Sequence, residues 1–214
     1  MHAHASIDSL KNREKPPADL IIIDESHRAL AQGYLNMLAC YPDASVVGLT
    51  ATPTRSDGRG LNEVYEDLVV VASYSELAEL GYLVIPRVFT TPNLPDVSRV
   101  SIVKGEFDQA QLAEVCDKDG LIGDVIDHWR RRANDAATIV FAVRVEHSKR
   151  LAARFNEAGI PAAHLDGEMC VGDRDRIIED LTAGRIKVVT TVDVLTEGVD
   201  IPIVKCVVSC RPTT

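Results

Sequence analysis

An α/β fold built on parallel sheets is predicted for this 214-residue chain, and three observations predict it. Short β-branched runs alternate with stretches of helical periodicity, the pattern of strand–helix–strand units. The runs are apolar at consecutive positions, as in Leu20-Ile-Ile-Ile23, which suits strands covered on both faces. Two of them end abruptly in acidic or hydroxyl residues, as strands do when their C-terminal ends face a ligand crevice.

Residues 20–23 are the first such run and lead straight into Asp24 and Glu25. They read as a buried parallel strand. Residues 46–49 are the second and run into Thr50-Ala-Thr-Pro53. Further strands are predicted over 138–142, 161–165, 186–190 and 204–208, with helices over 28–38, 120–133, 145–158 and 172–183. In 120–133, Leu121, Val125, Ile126 and Trp129 recur on one face while Asp124, Asp127 and Arg130 to Arg132 face away. Trp129 is therefore a core anchor. Residues 90–104, with Pro92, Asn93, Pro95 and several hydroxyl residues, show no period and read as a connector or long surface loop. One α/β unit lies before about Tyr82 and another after it.

Composition narrows the function classes. Hydrophobic residues make up 46% and charged residues 26%, which is globular rather than disordered. The net charge of −9 argues against a wrapper of nucleic acid driven by bulk positive charge. It leaves room for a narrow track made of backbone amides and a few arginines. No apolar run approaches the roughly 20 residues needed to span a bilayer. The opening Met-His-Ala-His-Ala is neither a secretory signal nor a transit peptide, so a cytoplasmic chain is expected. The five cysteines are odd in number and scattered, so reduced, mostly buried thiols are expected. His2 and His4 with Cys206 and Cys210 match no zinc spacing.

Chemistry concentrates at two strand ends. In Ile21-Ile-Ile-Asp-Glu-Ser-His27, a strand delivers two adjacent carboxylates. They can divide labour, Asp24 holding Mg²⁺ and Glu25 orienting and deprotonating a water. Alone, the same residues also suit a helix cap with an acidic first turn. Twenty-six residues on, Gly48-Leu-Thr-Ala-Thr-Pro-Thr-Arg55 places Thr50 and Thr52 where hydroxyls can bond to that site and to nearby backbone. Alone, it also suits a polar turn closed by Pro53. The pair in this order and spacing favours the functional reading.

With those residues in place, the chain resembles the superfamily 2 helicases and translocases, the DEAD/DEAH-box relatives. Asp24-Glu-Ser-His27 and Thr50-Ala-Thr-Pro-Thr-Arg55 resemble motifs II and III. Ile139-Val-Phe-Ala-Val-Arg144 with Glu146-His-Ser148 resembles motif IV, and His164-Leu-Asp-Gly167 the nucleic-acid-contacting segment after it. Val189-Thr-Thr-Val-Asp-Val-Leu-Thr-Glu-Gly-Val-Asp-Ile-Pro202 is similar to motif V, and Ala5-Ser-Ile-Asp-Ser-Leu10 resembles the Ib region. The closest flavour is the bacterial and phage branch related to DNA-repair helicases and restriction-enzyme motors.

The resemblance implies two RecA-like parallel-sheet units of the P-loop NTPase type, with ATP and Mg²⁺ as cofactors. Single- or double-stranded nucleic acid is the implied partner, with DNA ahead of RNA. It implies that Asp24 holds Mg²⁺, Glu25 activates water, and His27 links the nucleotide site to the second domain. Thr50 and Thr52 would couple hydrolysis to strand movement. Gly198 and Asp200 would meet the nucleotide, Asp200 at the ribose, while Thr190, Thr191, Asp166 and Gly167 would meet nucleic acid. Arg144 is a further phosphate contact or an exposed solubilising arginine. The implied domains are 1–82 (the C-terminal part of RecA-like domain 1), 83–135 (connector and linker helices) and 136–214 (the N-terminal part of domain 2).

The sequence also departs from the family pattern. Motif II carries serine where alanine is commoner. Nothing before Asp24 resembles GxxxxGK[ST], and no QxxGRxxR segment follows Cys210. That last segment supplies arginine fingers worth about 10³ to 10⁵ in rate in related phosphoryl-transfer enzymes. Both units are therefore expected to be incomplete and the chain alone catalytically incomplete. The alternative is a non-hydrolysing nucleic-acid or protein binding module derived from a helicase. A first sheet short of strands would leave uncovered edges and faces, so 1–82 is expected to be less stable than the rest and prone to self-association.

Overall fold

The computed structural model describes residues 5–11, 13–53, 60–91, 93–103, 105–195 and 199–212. The chain divides into two units, Met1–Pro86 and Arg87–Thr214, each described by itself.

In the first unit a short helix, α1 (Ile7–Lys11), precedes β1 (Leu20–Asp24). A 3-10 turn at Ser26–Arg28 leads to α2 (Gln32–Leu38) and then β2 (Ser45–Leu49). The two strands pair in parallel, Ile23 opposite Gly48 and Asp24 opposite Leu49. α3 (Tyr74–Glu79) is held by a capping box: the Glu76 amide donates to Ser73 Oγ and the Ser73 amide to Glu76 Oε2, at 3.2 and 2.7 Å.

Two expectations need correction here. Residues 28–38 are not one helix, since the stretch opens as a 3-10 turn and α2 starts only at Gln32. Nor is the first strand buried: Ile23 is, but Leu20 is 53% and Ile22 61% exposed. Among the described residues this sheet has two strands, so each lacks a neighbour on one side.

The second unit opens with a hairpin, β3 (Ile102–Val103) antiparallel to β4 (Glu106–Phe107), followed by α4 (Gln109–Cys116). Asp108 caps α4, its Oδ1 accepting from the amides of Ala110 and Gln111. The stretch read as a connector is thus partly ordered. Val100, Leu112, Ala113 and Cys116 bury a small cluster against Val143, and Arg150 pairs with Asp117 at 3.0 Å.

α5 (Asp119–Arg132), β5 (Thr138–Phe141), α6 (Val145–Glu157), β6 (Ala162–Leu165), α7 (Val171–Thr182), β7 (Val188–Thr191) and β8 (Cys206–Ser209) follow. The four strands form one parallel sheet in the order β6-β7-β5-β8. α5 buries Ile122, Ile126 and Trp129, and Ala133 at its C-cap continues the same stripe of a helical repeat. The Trp129 ring meets Phe155 edge-on at 5.9 Å, and its N–H donates to Thr138 Oγ1 at 2.7 Å. Gly159 (φ 77°) ends α6 in a left-handed turn that returns the Ile160 amide to the Phe155 carbonyl.

All five cysteines are free. Cys40 and Cys170 are exposed, against the expectation of mostly buried thiols. Burial pushes the thiols of Cys116 and Cys210 up to about 11 and about 12. Among the described residues no helix is long and apolar enough to cross a membrane.

Candidate functional site

The parallel register places Asp24 and Leu49 side by side, so Asp24, Glu25 and Thr50 leave the first sheet from one edge. Glu25 turns the chain sharply there, with φ 50° and ψ 48°. A side chain with a Cβ pays steric strain in that left-handed region, of order 1–3 kcal/mol. The turn lets the Glu25 amide donate to Asp24 Oδ1 at 2.9 Å and brings Glu25 Oε2 within 3.3 Å of His27 Nδ1. The same Nδ1 lies 3.3 Å from Thr50 Oγ1. Thr50 in turn accepts from the Thr52 amide at 3.1 Å and donates to the Thr52 carbonyl at 3.3 Å. With its hydroxyl hydrogen spent there, Thr50 can only accept from His27, whose Nδ1 proton is shared between Thr50 and Glu25. Asp24, Glu25, His27, Thr50 and Thr52 therefore form one linked cluster.

Gly48 and Tyr65 support this cluster and escaped the motif reading. A Cβ at Gly48 would lie 2.5 Å from the Tyr65 ring and 2.7 Å from Ser26 Cβ. The tyrosine can approach only because the strand carries glycine there, and a glycine inside an apolar strand is the signal that could have found it.

Mg²⁺ typically takes one or two carboxylates and completes its shell with water and phosphate oxygens. The exposed Asp24 at a strand end fits that mode. Among the described residues no group of three or more His, Cys, Asp or Glu could hold an ion by itself.

In the second unit the candidates fall into two environments. Arg144 is exposed at the start of α6, 3.7 Å from Glu146, and Gly167 is exposed beyond β6. Asp200 is exposed, whereas Gly198 lies outside the described residues, as do Thr54 and Arg55. Asp166, Thr190 and Thr191 are buried. The Thr190 hydroxyl is engaged by Ser148, accepting from its Oγ at 2.9 Å and donating to its carbonyl at 2.8 Å. In this arrangement it is not available to a phosphate. Thr191 Oγ1 is buried without a hydrogen-bond partner.

Asp166 accepts at Oδ1 from the amides of Glu168 and Met169, at 3.0 and 3.1 Å, and contacts His164 Nε2 through Oδ2 at 2.9 Å. These bonds, the histidine foremost, hold its carboxyl below the usual carboxylate range. The strand ends of this sheet also open on a cleft of about 420 Å³ lined by Glu106, Arg144, Glu146, Asp193 and Arg211 among others. Arg211 bridges it, 2.5 Å from Asp193 and 3.6 Å from Glu106.

Residues 117–214 match the family described as Helicase conserved C-terminal domain, and residues 3–55 match Type III restriction enzyme, res subunit. A 51.5 kDa protein of a Lactococcus phage is 32% identical over 97% of this chain and 46% of its own length. A Schizosaccharomyces pombe protein whose name reads mitochondrial ATP-dependent helicase irc3 is 32% identical over 94% of this chain and 35% of its own. Over nearly its whole length the chain is similar to superfamily 2 helicases. The UvrABC system protein B of Chlamydia abortus is 24% identical over 90% of this chain. The chain spans 29% to 46% of the length of these three relatives. The two family matches fall on the two units, one taking in the Asp24–Thr52 cluster and the other β5 to β8.

Proposed function

We propose that this chain is a portion of an ATP-driven helicase or translocase that couples ATP hydrolysis to movement on nucleic acid. The observation that carries the reading is the linked cluster at one sheet edge, Asp24–Glu25–His27–Thr50–Thr52. In this reading 1–82 is the C-terminal part of a first RecA-like domain, 83–135 the connector and 136–214 the N-terminal part of a second. ATP and Mg²⁺ are the cofactors. When bound, Mg²⁺ neutralises charge on the transferring phosphate.

The chain's own residues then have distinct tasks. Asp24 offers a carboxylate oxygen to the ion. Glu25, held beside His27 by its left-handed turn, orients a water and takes its proton. His27 passes the position of Glu25 to Thr50, and Thr52 extends that link along the loop. Asp200 is exposed where a ribose hydroxyl could bond to it, with Gly198 nearby in sequence. Residues 1–32 contain no glycine, so no glycine-rich phosphate cradle is formed by that stretch.

Nucleic acid is the partner in this reading, with DNA ahead of RNA, and the similarity to a restriction-enzyme subunit supports that order. The exposed Arg144 and Gly167 meet its backbone, while Asp166, Thr190 and Thr191 shape the surface from beneath.

The experiment is ATP hydrolysis, with and without single-stranded DNA and RNA, by an active protein carrying this sequence and by its Glu25→Gln variant. Turnover is expected to fall by about 10² to 10⁴ with Mg²⁺–ATP binding retained, because only the base is lost. Normal turnover in the variant would remove Glu25 from the mechanism. The 214-residue chain by itself is expected to bind an oligonucleotide without turnover.

A further inference from the structure

Four side chains from three elements of the second unit form one buried chain: Thr190 on β7, Ser148 on α6, His164 on β6 and Asp166 just after it. Ser148 and Thr190 are wholly buried, and the side chains of His164 and Asp166 are each 8% exposed. His164 and Thr190 are also register partners in the sheet.

The hydrogens in this chain can be counted. Thr190 has one hydroxyl hydrogen and gives it to the Ser148 carbonyl, so its oxygen must accept from Ser148 Oγ. That uses the only hydroxyl hydrogen of Ser148. The 2.7 Å contact between Ser148 Oγ and His164 Nδ1 then requires a hydrogen on the ring nitrogen. At the other end Asp166 already accepts two backbone amides and is an acceptor toward His164 Nε2. That nitrogen must donate too.

We propose that His164 is a positively charged strut: a positioning residue that donates from both ring nitrogens and ties the 166–169 turn to Ser148 and Thr190. A neutral ring has one N–H and can serve only one end of the chain. Losing a proton would free either Asp166, and with it the turn carrying Gly167, or Ser148 beside Thr190. The functional consequence rests on the proposed nucleic-acid role of Asp166, Gly167 and Thr190; the hydrogen count does not.

The other charged groups near β6 are accounted for. β7 carries no titratable side chain. On α6, Glu146 is paired with Arg144, His147 faces the Val143 amide, Lys149 is exposed, Arg150 is paired with Asp117 and Arg154 with Glu157. The first turns of α7 carry Asp173, Arg174, Asp175 and Arg176, of which Arg174 is half-buried. Asp166 is the ionised group that touches the His164 ring among the described residues.

The test is a magnetic-resonance pH titration of the full chain carrying isotope-labelled histidine. Two protonated ring nitrogens on His164 are expected at mildly acidic pH. As pH rises, the ring should lose one proton and the Glu168 and Met169 amides should shift with the same midpoint. Single-stranded oligonucleotide binding should weaken about tenfold through that midpoint in the wild type, as when a charge-assisted bond is lost. In His164→Gln it should be weak and flat with pH. Should His164→Gln fail to fold, Ser148→Ala removes the acceptor for His164 Nδ1, together with a donor to Thr190, and is expected to lower the midpoint. A singly protonated ring at mildly acidic pH, or amides that ignore its titration, would overturn the proposal. Should the wild type bind no oligonucleotide, the nucleic-acid reading falls while the amide titration still decides the role of His164.

Discussion

The two sheets are built from similar sequences and end in different states. β1 and β5 are both short, apolar and parallel-paired, yet β1 buries one residue fully and β5 three of its four. The difference lies in the neighbours. β5 sits between β7 and β8, under a layer anchored by Trp129, Leu151 and Phe155. Among the described residues β1 has one partner strand, and Leu20, Ile22, Val47 and Leu49 remain exposed across the pair. The same holds for the stretch from Leu68 to Val71, where Val71 is 93% exposed. At about 25 cal/mol per Å² of apolar surface removed from water, stability follows the surface covered and not the number of apolar residues.

The largest expected contrast is mutational. Phe155→Ala empties a fully buried site and is expected to cost the second unit about 3–5 kcal/mol. Ile22→Ala, at an exposed position, should change stability by no more than about 0.5 kcal/mol. Denaturant titration of both variants checks this, and equal losses would show that Ile22 is covered in solution. Hydrogen exchange gives the next contrast: β1 and β2 amides should exchange well before those of β5 and β7, with more self-association at high concentration. Equal protection in both halves would dissolve the comparison.

Thiol labelling of the folded chain sharpens it further. Cys40 and Cys170 should react readily, and Cys116 and Cys210 only on unfolding, since burial raises both thiols.

The smallest effect is on acid stability, and it concerns the second unit. Burial depresses His147, with Arg150 adding to the shift and Asp117 opposing it. Its contribution is complete above the ordinary histidine range. As pH falls through that range, the unfolded chain takes a proton that the folded one refuses, and the contribution shrinks. Asp166 acts lower down. Its contribution is present above the ordinary carboxylate range and is lost as pH falls through its depressed folded value. Two-stage acid loss is therefore expected in unit 2, and His147→Gln should remove the upper stage.

Much of the second unit was legible because its elements are long and locally self-consistent. The helix over 145–158 shows its apolar stripe and its terminal Gly159, and the structure ends it at Glu157. The hairpin at Ile102 leaves no periodicity to see, because it pairs two residues with two, while the helix over Gln109–Cys116 falls in the 83–135 span where linker helices were expected without bounds. Likewise Asp24, Glu25, Thr50 and Thr52 stood out by motif, whereas the role of Tyr65 over Gly48 depends on a packing contact 17 residues away in sequence.

By itself the sequence determined the parallel α/β class and the resemblance to helicases, and it singled out candidate site residues, since each follows from local pattern: period, strand-end composition and motif order. Tertiary structure alone decided which apolar strands are covered, that Glu25 reaches His27 through a left-handed turn, and that the Thr190 hydroxyl is turned inward to Ser148. Those outcomes depend on what lies across space from each residue, where burial and hydrogen-bond partners are assigned.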